Sequence, residues 1–281
     1  MFPDLGAKYI YVKEIGTGGT GVVNLALDTH TGFQVAVKSL FKSHFENNPA
    51  MLKRFRIEAN IYLMLSHPNI VKLKNFILKD GAHLVMDYIE GMTLEEYIRT
   101  VTGPIPSEVA IAIIKDIAAA IGYAHQKQIP IAGYNGVLHL DIKPNNILIS
   151  DSGKVMVIDY GISQGTKEDR MDQIVGSLMY MAPEQLEIES TLDHRTDIYA
   201  LGVLLHQMLT GNTPYSLKDT KDEIIRKIQK EPLERLIAIY PHVDNRLQKI
   251  IDTATSKNPD KRFKNCDEFI NTIEEIDHAA N

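Results

Sequence analysis

Through the first ninety positions, short apolar and β-branched runs alternate with turn residues. Tyr9-Ile10-Tyr11-Val12 and Val22-Val23-Asn24-Leu25-Ala26-Leu27 flank a glycine-rich stretch. Val35-Ala36-Val37-Lys38 follows the turn-forming Thr29-His30-Thr31-Gly32, so three strands are predicted. Between Met51 and Leu65 the apolar positions Phe55, Ala59, Tyr62 and Leu63 fall at helical spacing, and His67-Pro68-Asn69 ends the pattern. Val71 to Phe76 and His83 to Asp87 predict two more strands. From residue 92 the period turns helical. Glu108 to His125 carries Val109, Ile113, Ile114, Ile117, Ala120 and Ile121 on most of its faces, as a core helix does, and Asp197 to Leu209 is similar. Short strands interrupt at Ile147 to Ile149 and Val155 to Ile158. A strand-rich unit followed by a helix-rich one predicts an α+β fold with two lobes, joined near Tyr88 to Gly91.

Length agrees with two units: the chain has 281 residues, and a domain takes about 150. Apolar residues at 44% and charged residues at 23% are globular values, which excludes disorder, collagen or coiled coil as a description of the whole. With 36 acidic against 30 basic residues the net charge is −6, which argues against nucleic acid or an anionic membrane as a general partner. Cys266 is the only cysteine, so no intrachain disulfide forms; a small, semi-buried structural residue is expected there rather than a catalytic thiol. No run of 18 apolar residues suggests a membrane span. Met1 to Gly6 has neither a basic nor an apolar leader segment, so no ordinary signal peptide is expected. A cytoplasmic location is therefore expected, with secretion by a signal-less route as the alternative.

Four stretches carry chemistry. In the first, Ile15 is followed by Gly16-Thr17-Gly18-Gly19-Thr20-Gly21, which fits G-x-G-x-x-G. Small residues let backbone N–H groups approach phosphate oxygens, although turn glycines alone produce the same pattern. A dinucleotide-binding oxidoreductase would need a helix opening at these glycines; the β-branched Val22-Val23 favours a hairpin lying over a nucleotide. The second is Lys38, 17 residues after Gly21, with Glu58 twenty positions further on. Singly, these read as a snorkelling lysine and a solvated helix charge; together they suit a phosphate-holding ammonium fixed by a carboxylate. The third is His139-Leu140-Asp141-Ile142-Lys143-Pro144-Asn145-Asn146, and the fourth Val157-Ile158-Asp159-Tyr160-Gly161.

On these residues the chain resembles the eukaryotic-type serine/threonine protein kinases. The third and fourth stretches match that family's H-R-D-x-K-P-x-N and D-F-G patterns. The match continues through Ala182-Pro183-Glu184, Asp197 and Arg262, in family order from about residue 9 to 276, and Gln185 after Glu184 resembles bacterial members. The resemblance implies a bilobal protein-kinase-like fold with one domain over 9–276. Its N-lobe would span about 9–88, its hinge about 87–91 and its C-lobe about 92–276, leaving little room for a sensor or membrane anchor. It implies transfer of the γ-phosphoryl group of ATP, with Mg²⁺, to serine or threonine hydroxyls of a protein substrate. Asp141 would take or orient the hydroxyl proton, and Lys143 would neutralise charge on the phosphoryl group. Asn146 and Asp159 would hold Mg²⁺. Lys38, paired with Glu58, would contact the α- and β-phosphates beneath the glycine-rich stretch. Val23, Ala36 and Leu148 would sandwich the adenine, Met86 would be the gatekeeper, and backbone groups of Asp87 and Ile89 would bond the adenine edge. Thr93 falls where the family often contacts ribose. Glu184 and Arg262 would pair, and Lys143 with Gly176-Ser177 favours serine/threonine over tyrosine specificity.

There are departures. Leu140 stands where many members have an arginine that binds a phosphorylated activation segment. That segment is short, with 25 residues from Asp159 to Glu184, and its hydroxyls are Ser163, Thr166, Ser177 and Tyr180. Activity is therefore expected without phosphorylation there. Tyr160 replaces phenylalanine, Thr20 replaces an aromatic residue at the loop tip, and Asn145 weakens any preference for basic peptides. Ile129 to Gly136 predicts a hairpin or looped surface insertion. The competing functions are a kinase-fold scaffold without catalysis and a small-molecule kinase. The first would usually lack Lys38, Asp141 or Asp159, and the second has no need of residues 176–184.

Overall fold

The computed structural model describes residues 5–18, 21–40, 49–79, 81–129, 134–160, 178–187, 190–216, 218–239 and 243–277. For residues 18, 49–51, 53–55, 57–58, 129, 134–135 and 277 it describes the backbone alone. By contact the chain divides into two units, Met1–Glu90 and Gly91–Asn281.

The first unit is built on an antiparallel sheet of β1 (Tyr9–Gly18), β2 (Gly21–Asp28), β3 (Gln34–Leu40), β4 (Leu73–Leu78) and β5 (Ala82–Asp87), in the order β1-β2-β3-β5-β4. The strand after the glycines is real: Gly18 pairs with Gly21 to close a hairpin whose tip, Gly19 and Thr20, lies outside the described residues. Gly21 must lack a side chain, because a Cβ there would sit 2.1 Å from the Ser39 carbonyl oxygen. Strand alternation sorts the residues by face. Ala26, Val35, Val37 and Val85 join Leu5 and Tyr9 in one buried cluster. Cross-strand partners put Val23, Lys38 and Leu84, and beside them Ala36 and Met86, on the opposite face. Helix α1 (Pro49–Met64) follows β3 and buries Ala59 and Tyr62. Leu63, predicted on its apolar face, is 45% exposed, and Leu65 and Ile70 beyond the helix are buried instead.

The second unit opens with β6 (Gly91–Thr93), where the sequence pattern predicted helix. It is the third strand of a small sheet with β9 (Ile147–Ser150) and β10 (Val155–Val157), in the order β10-β9-β6. Gly91 is required here: its φ is +150°, and a Cβ would meet the Ile149 carbonyl oxygen at 2.1 Å. Thr93 then caps α2 (Leu94–Tyr97), exchanging hydrogen bonds with Glu96. A π-helical turn, Ile98–Thr102, leads on toward α3 (Ser107–His125). The predicted insertion begins as a two-residue ladder, β7 (Gln128–Ile129) against β8 (Tyr134–Asn135), with residues 130–133 outside the described set.

Helix α4 (His194–Thr210) is buried on all sides from Thr196 to Thr210. Helix α3 packs on α4 and on α8 (Cys266–Asp277), and α4 packs on α7 (Asn245–Ala254). Gly202 permits the α4–α7 approach, since a Cβ there would lie 2.6 Å from that of Ala254. Between them lie α5 (Lys221–Lys230), closed by a Thr220–Glu223 capping box, and the short α6 (Leu236–Ile239). Cys266 is fully buried at 1% exposure rather than semi-buried, and burial pushes its thiol far above the ordinary range.

Candidate active site

Asp197, in the first turn of α4, organises the loop that carries the third motif. Its Oδ2 accepts from the His139 amide at 2.8 Å and from His125 Nε2 at 2.8 Å, while Oδ1 accepts from the Leu140 amide at 2.7 Å. Burial alone would push the Asp197 carboxyl up, but the His125 bond, the nearby imidazoles and the His139 amide outweigh it and hold the group below its usual range. A buried carboxylate is stable only when hydrogen-bonded in this way. Its grip explains Leu140, whose φ of +58° is strained for a branched side chain. The Leu140 carbonyl is held as well, accepting from Gln185 Nε2 at 3.1 Å, and Gln185 Oε1 accepts from the Ala182 amide at 2.9 Å. Gln185 thus links the loop to the Ala182-Pro183-Glu184 segment.

The backbone held by Asp197 leads directly to Asp141. Lys143 Nζ donates to both Asp141 oxygens, at 2.9 and 2.8 Å. Asn146 Nδ2 donates to the Asp141 carbonyl at 2.8 Å and to Asp141 Oδ2 at 2.9 Å. A 3-10 turn, Pro144–Asn146, gives the loop this reach; Pro144 sits at its first position and needs no donor there. Asp141 and Lys143 remain partly exposed, with side chains 26% and 19% accessible. The structure therefore brings Asp141, Lys143 and Asn146 together. Asp159 lies beside them in the chain path, since the Ile158 amide donates to the Asn146 carbonyl at 2.9 Å. Its φ of +61° is the second strained value among non-glycine residues described. Asn145 points to solvent.

His139 and Tyr160 close the floor of this site. The Tyr160 ring lies 4.7 Å from the imidazole of His139, centroid to centroid, and its hydroxyl donates to the Ala120 carbonyl of α3 at 3.1 Å. The hydroxyl added relative to phenylalanine thus has a definite partner. His139 is fully buried, and burial lowers its pKa against the raising influence of Asp197, Asp141, Asp159 and the Ile158 carbonyl. It is held neutral, with Nδ1 accepting from the Asp141 amide at 3.3 Å.

The predicted pair of Glu184 and Arg262 is present. Arg262 Nη1 and Nη2 donate to Glu184 Oε1 and Oε2 at 2.6 and 2.8 Å, in a site where both residues are buried. Thr196 Oγ1 adds a third bond at 2.9 Å. Tyr180, counted among the activation-segment hydroxyls, is buried and donates to Gln207 Oε1. Gly161, Ser163, Thr166, Gly176 and Ser177 lie outside the described residues.

In the first unit, register pairs Val23 with Lys38 and Ala36 with Met86, and puts all four on one face of the sheet. Gly16 and Thr17 belong to β1 opposite Val23 and Val22, and Gly18 ends that strand. Ile15 is 40% exposed. Asp87 already donates its amide to the Lys72 carbonyl at 3.0 Å, and its carboxylate pairs with Lys74 at 2.7 Å. Ile89 is half-buried after β5, and Leu148, in β9 of the second unit, is also half-buried. Glu58 lies in α1, but its side chain is not among those described. Thr93 spends its hydroxyl on the α2 cap.

Sequence reasoning assigned no role to His125, His139 or the Gln185 side chain, and none to Asp197 beyond its place in the family pattern. His139, Gln185 and Asp197 act through backbone groups and His125 through the Asp197 carboxylate, and nothing in a linear pattern marks which group a buried side chain will hold.

Comparison with known proteins identifies the family. The family model described as protein kinase domain matches residues 9–273. The chain is 33% identical over 270 residues to a probable serine/threonine-protein kinase PknB of Lactococcus lactis, covering 95% of this chain and 41% of that protein. It is 35% identical over 269 residues to the serine/threonine-protein kinase PrkC of Bacillus subtilis, covering 94% and 40%. The chain thus spans about two fifths of the length of these relatives. Among solved structures, the PknI kinase domain of Mycobacterium tuberculosis is similar with a TM-score of 0.75 and 26% identity, over 97% of this chain and 96% of that one.

Proposed function

This chain belongs to the protein kinase family and has its α+β fold, and from that premise we propose that it transfers the γ-phosphoryl group of ATP to serine or threonine hydroxyls of proteins. The observation that carries the proposal is the Asp141 carboxylate, held by Lys143 on both oxygens and by Asn146 on one. A carboxylate fixed this way can receive a hydroxyl proton without first reorganising. Lys143 sits next to it, where negative charge grows on the group in transfer.

The residues suit Mg²⁺. Asn146 spends both amide hydrogens on Asp141, so its remaining polar atom is an oxygen, and Asp159 contributes a carboxylate. Mg²⁺ prefers such hard oxygen donors. When bound, it would bridge phosphate oxygens and offset their charge. Lys38 would meet the α- and β-phosphates, and Glu58 would steady its ammonium. The backbone of 16–21 would face the phosphates. Val23, Ala36 and Leu148 would contact the adenine, with Met86 beside it; the Asp87 amide is already engaged, which leaves that residue's carbonyl to bond the adenine edge. We assign the site to one domain over 9–276. A cytoplasmic setting would supply its ATP, and no described helix is long and apolar enough to cross a membrane.

The test is labelling of a generic protein substrate from γ-labelled ATP with Mg²⁺, comparing wild type with Asp141→Ala. Transfer by wild type and its loss in the variant are expected; equal labelling by both would remove Asp141 from the mechanism. A scaffold role predicts nucleotide binding without transfer. A small-molecule kinase would label alcohols or aminoglycosides in preference to protein.

A further inference from the structure

We propose that Gln185 is a positioning residue for phosphoryl transfer: it holds the peptide plane between Leu140 and Asp141 and so sets the direction of the Asp141 carboxylate. This role rests on the phosphotransferase reading of Asp141.

Gln185 belongs to the 3-10 turn Pro183–Leu186 and is 3% exposed. It is locked to Ala182 twice. Its amide donates to the Ala182 carbonyl at 2.9 Å, and its Oε1 accepts from the Ala182 amide at 2.9 Å. The second bond decides which way the side-chain amide faces. Its oxygen must meet the Ala182 N–H, so Nε2 turns to the Leu140 carbonyl, 3.1 Å away. The turn is itself anchored, since Glu184 accepts from Arg262 and Thr196. Among the described residues of 178–187, Gln185 is the only one whose side chain bonds residues 139–146.

The bond falls where small rotations matter. The Leu140 carbonyl and the Asp141 amide belong to one rigid plane. Leu140 has a φ of +58°, a conformation that persists only while its surroundings hold it. Asp197 holds the peptide before it, through the Leu140 amide at 2.7 Å. Gln185 holds the peptide after it, by the carbonyl. At the other end of that second peptide, the Asp141 amide donates to His139 Nδ1 at a longer 3.3 Å. Loss of the Gln185 bond lets this plane turn and strands a carbonyl oxygen. The turn carries the Asp141 carboxylate away from Lys143 and Asn146, which now hold it. Misplacement of a reacting group by about 1 Å can cost about 100-fold in rate.

Two variants separate this role from a merely structural one. Gln185→Met keeps the length of the side chain and removes both of its bonds. Gln185→Glu keeps an acceptor for the Ala182 amide and, when ionised, faces the Leu140 carbonyl with a second acceptor. Burial pushes such a carboxyl up, so acidification restores an O–H that can donate to Leu140. The experiment measures kcat and the KM for ATP with γ-labelled ATP, Mg²⁺ and a generic protein substrate from pH 6 to pH 8. Rates are taken per folded molecule, by circular dichroism at each pH. At pH 7.5 both variants should lose about 10–100-fold in kcat, with the KM for ATP changed less than about threefold. The kcat of Gln185→Glu relative to wild type should rise by about threefold or more from pH 8 to pH 6, while that of Gln185→Met stays level. The Gln185→Glu ratio compares protonation states of one folded protein, so it decides the matter even if Gln185→Met folds poorly. A kcat per folded molecule within twofold of wild type, a KM that rises as far as kcat falls, or a Gln185→Glu ratio indifferent to pH would overturn the proposal. Absence of transfer by wild type would overturn the phosphotransferase reading instead, and this role with it.

Discussion

Replacing Arg262 by Gln tests the electrostatics of the second unit most severely. The change removes two charge-assisted bonds to Glu184, a bond from Nε to the Ser256 carbonyl at 2.8 Å and one from Nη1 to the Arg195 carbonyl at 3.0 Å. The larger consequence is what stays behind: the Glu184 carboxylate remains buried, with the Thr196 hydroxyl still donating to it. Breaking a buried pair from one side costs about 3–5 kcal/mol, because the surviving charge is not compensated. At about 2–4 °C per kcal/mol for a unit of this size, the melting temperature should fall by about 6–20 °C. Glu184→Gln alone should also destabilise, by stranding the guanidinium. The double variant strands neither charge, so its loss should be smaller than the sum of the singles by about 2–3 kcal/mol. Urea unfolding followed by circular dichroism, on wild type and all three variants, measures the cycle. If Arg262→Gln stays within 1 kcal/mol of wild type, or the double variant loses the full sum, the pair is not the anchor described.

Four further outcomes are expected. Asp141→Asn should lower kcat by about 10²–10⁴-fold in a steady-state phosphotransfer assay while the affinity for ADP changes less than threefold. Tyr160→Phe keeps the ring against His139 and deletes the bond to Ala120, so urea unfolding should show a loss of about 0.5–1.5 kcal/mol; no loss would mean the hydroxyl is idle. Burial holds His139 and His206 below the ordinary histidine value of 6.5. The unfolded chain then binds protons the fold refuses, so stability is full above about pH 6.5 and falls on acidification, by at most about 1.4 kcal/mol per pH unit per histidine. His206→Gln should flatten that slope between pH 6.5 and 5.5, and parallel curves for variant and wild type would exclude the effect. Protein prepared free of phosphate should phosphorylate substrate without a lag; silence until a second kinase treats it would show that the segment after Asp159 needs modification despite Leu140.

The strands and long helices were legible because their signals are periodic. The i, i+4 spacing of Phe55 and Ala59 marks α1, while the apolar runs Val35–Val37 and Glu108–His125 mark elements buried on more than one face. Three-residue β6 has no such period; it exists because Gly91 lets the backbone approach Ile149 closely, a tertiary fact. Leu63 misled for the opposite reason: its spacing is helical, but the burial that counts lies at Tyr62 and Leu65.

At the site, the residues that would touch substrate could be read from the chain, and the residues that hold them could not. Asp141, Lys143 and Asn146 sit within six positions, and local spacing shows that one loop can present them. Their loop is held by Asp197 and Gln185, which lie far from it in the chain, through bonds that the sequence pattern does not state. Leu140 shows why that support matters. Its positive φ costs on the order of 1–3 kcal/mol. The restraint comes from three bonds to backbone atoms: His139 N and Leu140 N to Asp197, and Gln185 to Leu140 O. None of them involves the Leu140 side chain. The loop can therefore carry leucine at position 140 and still present Asp141. The placement of Asp141 thus rests on the buried Asp197 carboxylate and not on the side chain at position 140.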